Sequence, residues 1–311
     1  MKNLQKLFLI VLISTAVFAQ ETTKKEIEKI PNTLSFMVIG DWGRNGDFLQ
    51  RETAVALNNV VPKVGGSFVI STGDNFYESG VASIDDPLWM SSFENIYTGG
   101  YLLSDWYPVL GNHDYKGSVQ AQIDYSKKSR RWVMPAKWYS FEKKLPKSDE
   151  KVCFIFLDTN PYEKEHYSSD SYKHKMIPQD TIDQKIWLDS VLTNTKAKWK
   201  IVVGHHPLYT GGMRKENFPS VRYSLHDIFV KHKVDAYFAG HEHDLQVLKP
   251  EGYYQFVSGA GSALRKTGSI AITEFSESVN GFMAVSLAAD ALTVQVINYK
   301  GELLHTTVHK K

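Results

Sequence analysis

Short apolar runs and longer amphipathic stretches take turns along this chain. Strand-length apolar runs occupy Ser35 to Gly40, Ser67 to Thr72, Trp106 to Leu110, Val152 to Leu157, Trp199 to Val203 and Val234 to Ala239. Between them, apolar residues recur at helical spacing over Phe48 to Val60, Pro87 to Tyr97, Gln179 to Leu192 and Tyr223 to Lys231. In the third of these, Ile182, Ile186, Leu188, Val191 and Leu192 form a near-helical stripe. The alternation predicts strands paired in a sheet with helices packed on its faces, an α/β (α+β) arrangement. From Tyr253 onward short strands dominate, ending in Gly281 to Val296 and Leu303 to Val308, joined across a Lys300-Gly301 turn. With no Pro/Gly/Ser linker or internal repeat, and 42% hydrophobic content to fill a core, one domain over residues 34–311 is expected after an extension at 20–33.

The N-terminus follows a different pattern. Lys2 and Lys6 precede an apolar run from Leu7 to Ala19 interrupted only by Ser14 and Thr15, and Val17-Phe18-Ala19 places small residues before Gln20. This is the arrangement of a signal peptide over residues 1–19. The run is shorter than the ~20 apolar residues of a membrane span, and polar Gln20 to Thr23 precede Lys24 and Lys25, so no stop-transfer pattern follows. A secreted or periplasmic protein is expected, with no stable membrane association after signal cleavage.

Losing residues 1–19 removes two lysines and no acid, which takes the formal net charge from +2 to 0. That balance, with no long run of like charges, excludes the footprint of a nucleic-acid binder. Cys153 is the single cysteine, so no intramolecular disulfide can form, and its neighbours Val152, Phe154, Ile155 and Phe156 make it a buried core thiol.

Polar residues at the ends of the strand candidates carry the chemistry. The runs lead into GDWG at 40–43, GDNFY at 73–77, GNHD at 111–114, GHH at 204–206 and GHEH at 240–243. Carboxyl ends of strands in α/β sheets share a crevice, so these loops can converge on one site. In each, a glycine precedes the polar group, where a chain leaving a strand can turn without a Cβ penalty. Asp41, Asp74, Tyr77, Asn112, His205, His241 and His243 offer oxygen and imidazole donors and no thiolate, a mixture suited to iron, zinc or manganese. The donors are too many for one four-coordinate ion and enough for two if a carboxylate bridges. Two ions about 3.5–4 Å apart can hold a phosphoryl group and supply hydroxide, so phosphate-ester hydrolysis follows.

These five blocks, in this order, resemble the metal-site blocks of the purple acid phosphatases, and most closely the small tartrate-resistant type, within the calcineurin-like metallophosphoesterase superfamily. The likeness runs from about Ser35 to the C-terminal hairpin. It implies a four-layer metallophosphoesterase β-sandwich flanked by helices, with the dimetal site at the strand C-terminal ends. It also implies that Asp41, Tyr77 and His243 bind ferric iron, that Asn112, His205 and His241 bind a second, divalent ion (Fe, Zn or Mn), and that Asp74 bridges. Most of the wider superfamily lacks a tyrosine at the place of Tyr77. By the same resemblance, a metal-bound hydroxide attacks a phosphate monoester, His113 protonates the leaving alcohol, and Asn112, His113 and His206 contact a small phosphorylated substrate. A phosphodiesterase or phosphoprotein phosphatase of the same superfamily, or a non-enzymatic metal-binding protein, is the alternative.

The chain departs from the family at two points. His206 stands where an aromatic residue is usual, leaving it open between phosphate contact, support and packing. Leu208 to Asn217 contains no histidine where small relatives carry one at the phosphate, and Arg214 or Lys215 could substitute as a cation. Asp114 is expected to orient His113 or cap a loop. Residues 161–178 read as a surface loop near the site, with substrate recognition as the sharper alternative. His166, His174, His226, His232, His305 and His309 read as solvated or structural. Trp42, Trp89, Trp106 and Trp138 are candidates to wall the cleft, and Gly259 to Ser262 reads as a turn near it.

Overall fold

Alternating side chains on one strand bind the layers together. In β5 (Lys151–Phe156), Phe154 and Phe156 face one core while Cys153 and Ile155 face another, as the two-residue period of a strand requires. Phe154 meets Phe36 of β1 (Leu34–Ile39) edge-on with centroids 5.3 Å apart, and Phe68 of β2 (Gly66–Ser71) at 5.6 Å. β1 and β2 belong to the other sheet, so these rings lock two sheets face to face. On its other side β5 packs Cys153 and Ile155 with Leu188 and Leu192 of α3 (Pro178–Asn194) and with Leu225 and Phe229 of α4 (Pro219–Lys231). α1 (Gln50–Val64) lies against β1, β2 and β11 (Gly281–Leu287) of the first sheet. The order is helix, sheet, sheet, helix, in a computed structural model that describes residues 26–214 and 219–311. The signal peptide expected over residues 1–19, the start of the extension and Lys215 lie outside the described residues.

The first sheet runs β13 (Leu303–Lys310), β12 (Ala291–Asn298), β11, β1, β2, β3 (Trp106–Pro108). The second runs β10 (Thr273–Glu277), β8 (Leu245–Leu248), β9 (Tyr254–Ser258), β7 (Ala236–Ala239), β6 (Trp199–Val203), β5, β4 (Tyr139–Lys144). β1, β2 and β3 are parallel, as are β5, β6, β7 and β9. The strands that the alternation alone put in one sheet therefore divide between two, in agreement with the four-layer β-sandwich implied by the resemblance, and both parallel sets bring their C-terminal ends to the same edge of the sandwich.

Several expected elements differ in informative ways. The stripe on α3 is wrong at its N-terminal end, because Ile182 and Ile186 are exposed and the inward positions belong to Gln184, Leu188 and Leu192. Gln184 is buried because its amide takes both backbone groups of Asp158, at 2.9 and 2.8 Å. A polar residue in a core slot hides the true face from a hydrophobic count. The helix expected over Pro87 to Tyr97 is a π-turn at Trp89–Glu94, with Trp89 stacked on Tyr125 at 3.5 Å and Phe93 edge-on to Trp106. α1 continues past Val60 to Val64, where Gly65 (φ 75°) caps it. Gly281 to Val296 splits into β11 and β12. β4 and α2 (Val119–Tyr125) were not anticipated. Trp42, Trp89 and Trp106 are core residues at 0–2% exposure rather than cleft walls, and Trp138 is half-buried. Among the described residues, no helix is long and apolar enough to cross a membrane.

Candidate metal centre

Each expected donor leaves the C-terminal end of a parallel strand: Asp41 after β1, Asp74 and Tyr77 after β2, Asn112 after β3, His205 after β6, and His241 and His243 after β7. Asp41, Asp74 and His241 adopt left-handed backbone, with φ of 57°, 49° and 68°. Non-glycine residues rarely do so, and such strain collects at functional sites. Gly73 makes the expected turn, with φ 94°, and the glycines of these blocks also serve close approach. A Cβ on Gly111 would lie 2.2 Å from the Asp74 amide nitrogen and carboxylate, and one on Gly240 would lie 2.4 Å from Asp41 Oδ2. They allow the five loops to touch one another.

Two groups of donors result. Tyr77 Oη lies 3.0 Å from Asp41 Oδ1, 3.0 Å from Asp74 Oδ2 and 3.1 Å from His243 Nε2. In the second group, His205 Nε2 lies 3.0 Å from His241 Nδ1, 3.3 Å from Asn112 Oδ1 and 3.5 Å from Asp74 Oδ1. Asp74 thus turns one oxygen to each group. Side-chain tautomers and angles are fixed by the loops: His205 Nδ1–H donates to the Thr72 carbonyl at 2.9 Å, and the His241 amide donates to Asp41 Oδ2 at 2.9 Å.

The electrostatics suit cations. Burial, then the neighbouring Asp74, raises the Asp41 carboxyl well above its usual range. Burial also pushes Asp74 up, but His205, His113 and His243 more than offset it and leave it lowered. Burial followed by Asp41 and Asp74 raises the Tyr77 phenol, and burial holds His205 and His241 low and His243 down to about 3. The imidazoles are therefore neutral, as ligands must be. Two buried carboxylates and a phenol crowd together with no lysine or arginine ion-paired to them among the described residues; their close partners are these neutral rings. Buried carboxylates without compensating charge are costly, so the donor set fits bound cations. Asp41, Asp74 and His243, and separately His205, His206 and His241, can each bring ligand atoms within 4.8 Å of one another.

Residues 34–245 match the calcineurin-like phosphoesterase family. Purple acid phosphatase 3 of Arabidopsis thaliana is 34% identical over 311 residues, spanning 93% of this chain and 82% of that protein. The chain belongs to the purple acid phosphatases. Tartrate-resistant acid phosphatase type 5 of Oryctolagus cuniculus is 34% identical over 268 residues, covering 83% of this chain and 81% of its own. The solved structure of GAP50, described as the anchor in the inner membrane complex of Plasmodium, is similar at 26% identity and a TM-score of 0.76, with 89% of this chain and 88% of that one covered.

The remaining candidates in this purple acid phosphatase take definite places. His113 donates its amide to Asp74 Oδ1 at 2.7 Å, and its Nδ1 sits 2.7 Å from the Glu78 carbonyl, which leaves Nε2 as the working nitrogen. Of its two expected roles Asp114 fills the second: it clamps loops by accepting the amides of Asn75, Phe76 and Gly111. His206 is fully buried, its ring 4.6 Å from His241 and its Nδ1 2.8 Å from Thr159 Oγ1. It lines a cavity of about 270 Å³ with Asn112, His166, Tyr172, Arg214 and His241. His166 is buried there, ring to ring with Tyr172, and His305 packs on Phe275. Gly259 to Ser262 forms the floor beneath Asp41: Gly261 N–H donates to the Gly40 carbonyl, and Ser262 Oγ to that of Asp41.

Three supporting residues escaped sequence reasoning. Tyr172, in the 161–178 loop, accepts the Asn112 amide at 3.0 Å, which leaves Asn112 Oδ1 for the second group. Thr159 Oγ1 accepts the backbone amides of His205 and His206. Asp158 precedes it at the end of β5, so β5 contributes support where β1, β2, β3, β6 and β7 contribute donors. The available signal was Asp-Thr-Asn directly after an apolar strand.

Asp158 also makes a pH prediction. Burial pushes its carboxyl up to about 6, against hydrogen bonds from Tyr115 and Asn160. Its folded pKa lies above the unfolded value near 3.9, so it favours folding below that pH, and the advantage disappears as pH rises to about 6. Melting temperature should fall across that window, with roughly 2–3 kcal/mol at stake. Asp158→Asn should flatten the slope; an unchanged slope in a thermal scan from pH 4 to 7 would assign it elsewhere.

Proposed function

We propose that this chain is an exported acid phosphatase that hydrolyses phosphate monoesters at a dinuclear Fe(III)–M(II) centre. Asp74, with one carboxylate oxygen toward each donor group, is the observation that carries the reading. Asp41, Tyr77 and His243 would hold the ferric ion and Asn112, His205 and His241 the divalent one; a hard trivalent ion suits the phenolate of Tyr77. Bound there, the pair supplies positive charge to the phosphoryl oxygens and hydroxide at acid pH.

The chain's own groups do the rest. His113, steadied by the Glu78 carbonyl, holds a proton at Nε2 for the leaving alcohol. Asn112 is kept in register by Tyr172, and the loop walls exclude bulk water from the buried donors. Arg214 brings its guanidinium to His241 at the cavity, and in this reading it takes the part of the histidine that Leu208 to Asn217 lacks, which is to grip phosphate oxygens. Arg214→Ala is expected to raise KM for a monoester about tenfold with little change in kcat, and to weaken inhibition by inorganic phosphate in step.

The reading is tested on protein purified without chelators, by elemental analysis, a visible spectrum and assays of monoester and diester substrates across pH. Two cations per chain including iron, a charge-transfer band and monoesterase activity at acid pH are expected. Zinc alone with no band would overturn the ferric assignment, and a preference for diesters the substrate class. An anchoring role of the kind named for the Plasmodium protein, without catalysis, would leave no monoesterase activity. Export predicts a mature protein beginning at Gln20, read by intact mass of the secreted form.

A further inference from the structure

We propose that Arg44 tunes the iron-binding strength of Tyr77 by stacking its guanidinium on the phenol ring, with Glu78 as the opposing charge. The inference rests on the ferric assignment just given and adds a residue outside the donor set. Arg44 follows the GDWG block directly, and its guanidinium carbon lies 3.7 Å from the centroid of the Tyr77 ring. A cation this close over an aromatic face interacts strongly with its π electrons, more so when desolvated. The Arg44 side chain is only 14% exposed, whereas Glu78, whose carboxylate contacts Arg44 Nη1, is 67% exposed. Water therefore screens the carboxylate far more than the guanidinium. The ring cannot swing away, since Tyr77 Oη is fixed among Asp41, Asp74 and His243 and the His113 ring packs on it at 4.5 Å.

The physical consequence has a sign. A positive charge over the ring stabilises electrons on the phenolate more than electrons on an ion beyond its oxygen. Moving an electron from phenolate to iron then takes more energy, and the phenolate gives less density to the ion. Removing the cation reverses both effects; removing the carboxylate strengthens them.

The experiment is the visible spectrum and the one-electron Fe(III)/Fe(II) potential of oxidised, iron-loaded protein. Arg44→Gln should move the tyrosinate band to longer wavelength and make the potential more negative, whereas Glu78→Gln, which keeps the carbonyl on His113, should move the band slightly to shorter wavelength. Arg44→Lys, charged but not planar, should fall between Arg44→Gln and the unaltered protein. If Arg44→Gln fails to fold or to hold iron, Glu78→Gln and Arg44→Lys decide the matter. A band in the unaltered protein that none of the three variants shifts, or one that Glu78→Gln moves to longer wavelength, overturns the role of Arg44 and leaves the ferric assignment standing. An iron-loaded protein with no band overturns the tyrosinate assignment and this inference with it.

Discussion

Replacing Asp74 with asparagine is expected to lower kcat/KM for a phosphate monoester by about 10³-fold or more and to deplete both cation positions after dialysis. Every other donor faces one group only, so losing Asp41 or His205 would leave half the centre intact. The substituted amide would offer one neutral oxygen where the native carboxylate offers two charged ones, and the anionic donors would fall from three, Asp41, Asp74 and Tyr77, to two. Stability separates this from misfolding. In the metal-free protein two effects oppose: Asp41 is relieved of the neighbour that raises it, while the hydrogen bonds that the Asp74 carboxylate accepts from the Tyr77 hydroxyl and the His113 amide are weakened. The metal-free melting temperature should therefore change little, while the rise that cations produce, set by how tightly the folded state binds them, should shrink sharply. Asp74→Asn protein that keeps two cations per chain and near-native kcat/KM would remove the bridging role.

What sequence reasoning could see at this site was set by where specificity resides. Donor residues must be particular chemical types at strand ends, so Asp41, Asp74, Tyr77, Asn112, His205, His241 and His243 stand out in the chain, and the structure brings all seven together. Apart from Asp158 and Thr159, which follow an apolar strand as the donors do, supporting residues act through geometry that no local pattern encodes. Tyr172 meets Asn112 across 60 positions and Arg44 meets Tyr77 through a stack of ring and guanidinium. Gln184 shows the same limit in the fold: a polar residue serving a distant backbone occupies a helix position that a hydrophobic count assigns to solvent. The division into two sheets was equally invisible locally, because a parallel strand buried on both faces has the same apolar run in one sheet as in two.

Replacing His113 with alanine should leave the cations in place and remove proton transfer alone, an effect of roughly 10²–10⁴-fold in kcat. The retention follows from the contacts. The His113 link to Asp74 is made by its backbone amide, which alanine keeps, and its ring hydrogen-bonds the Glu78 carbonyl and packs on the Tyr77 ring without bonding any donor atom. Elemental analysis should therefore match the unaltered protein, and the visible band should persist, displaced at most by loss of the ring that packs on Tyr77. The decisive comparison is between substrates. An alkyl phosphate releases a strongly basic alkoxide that needs the Nε2 proton, so it should show the full loss. An aryl phosphate with an acidic phenol leaves without help and should lose far less, giving a steeper dependence of rate on leaving-group basicity. An equal loss on both substrates would mean that His113 positions the phosphate instead of protonating the departing oxygen. No loss on either would take catalysis away from this histidine altogether, and with it the strongest chemical argument that the donor set serves hydrolysis.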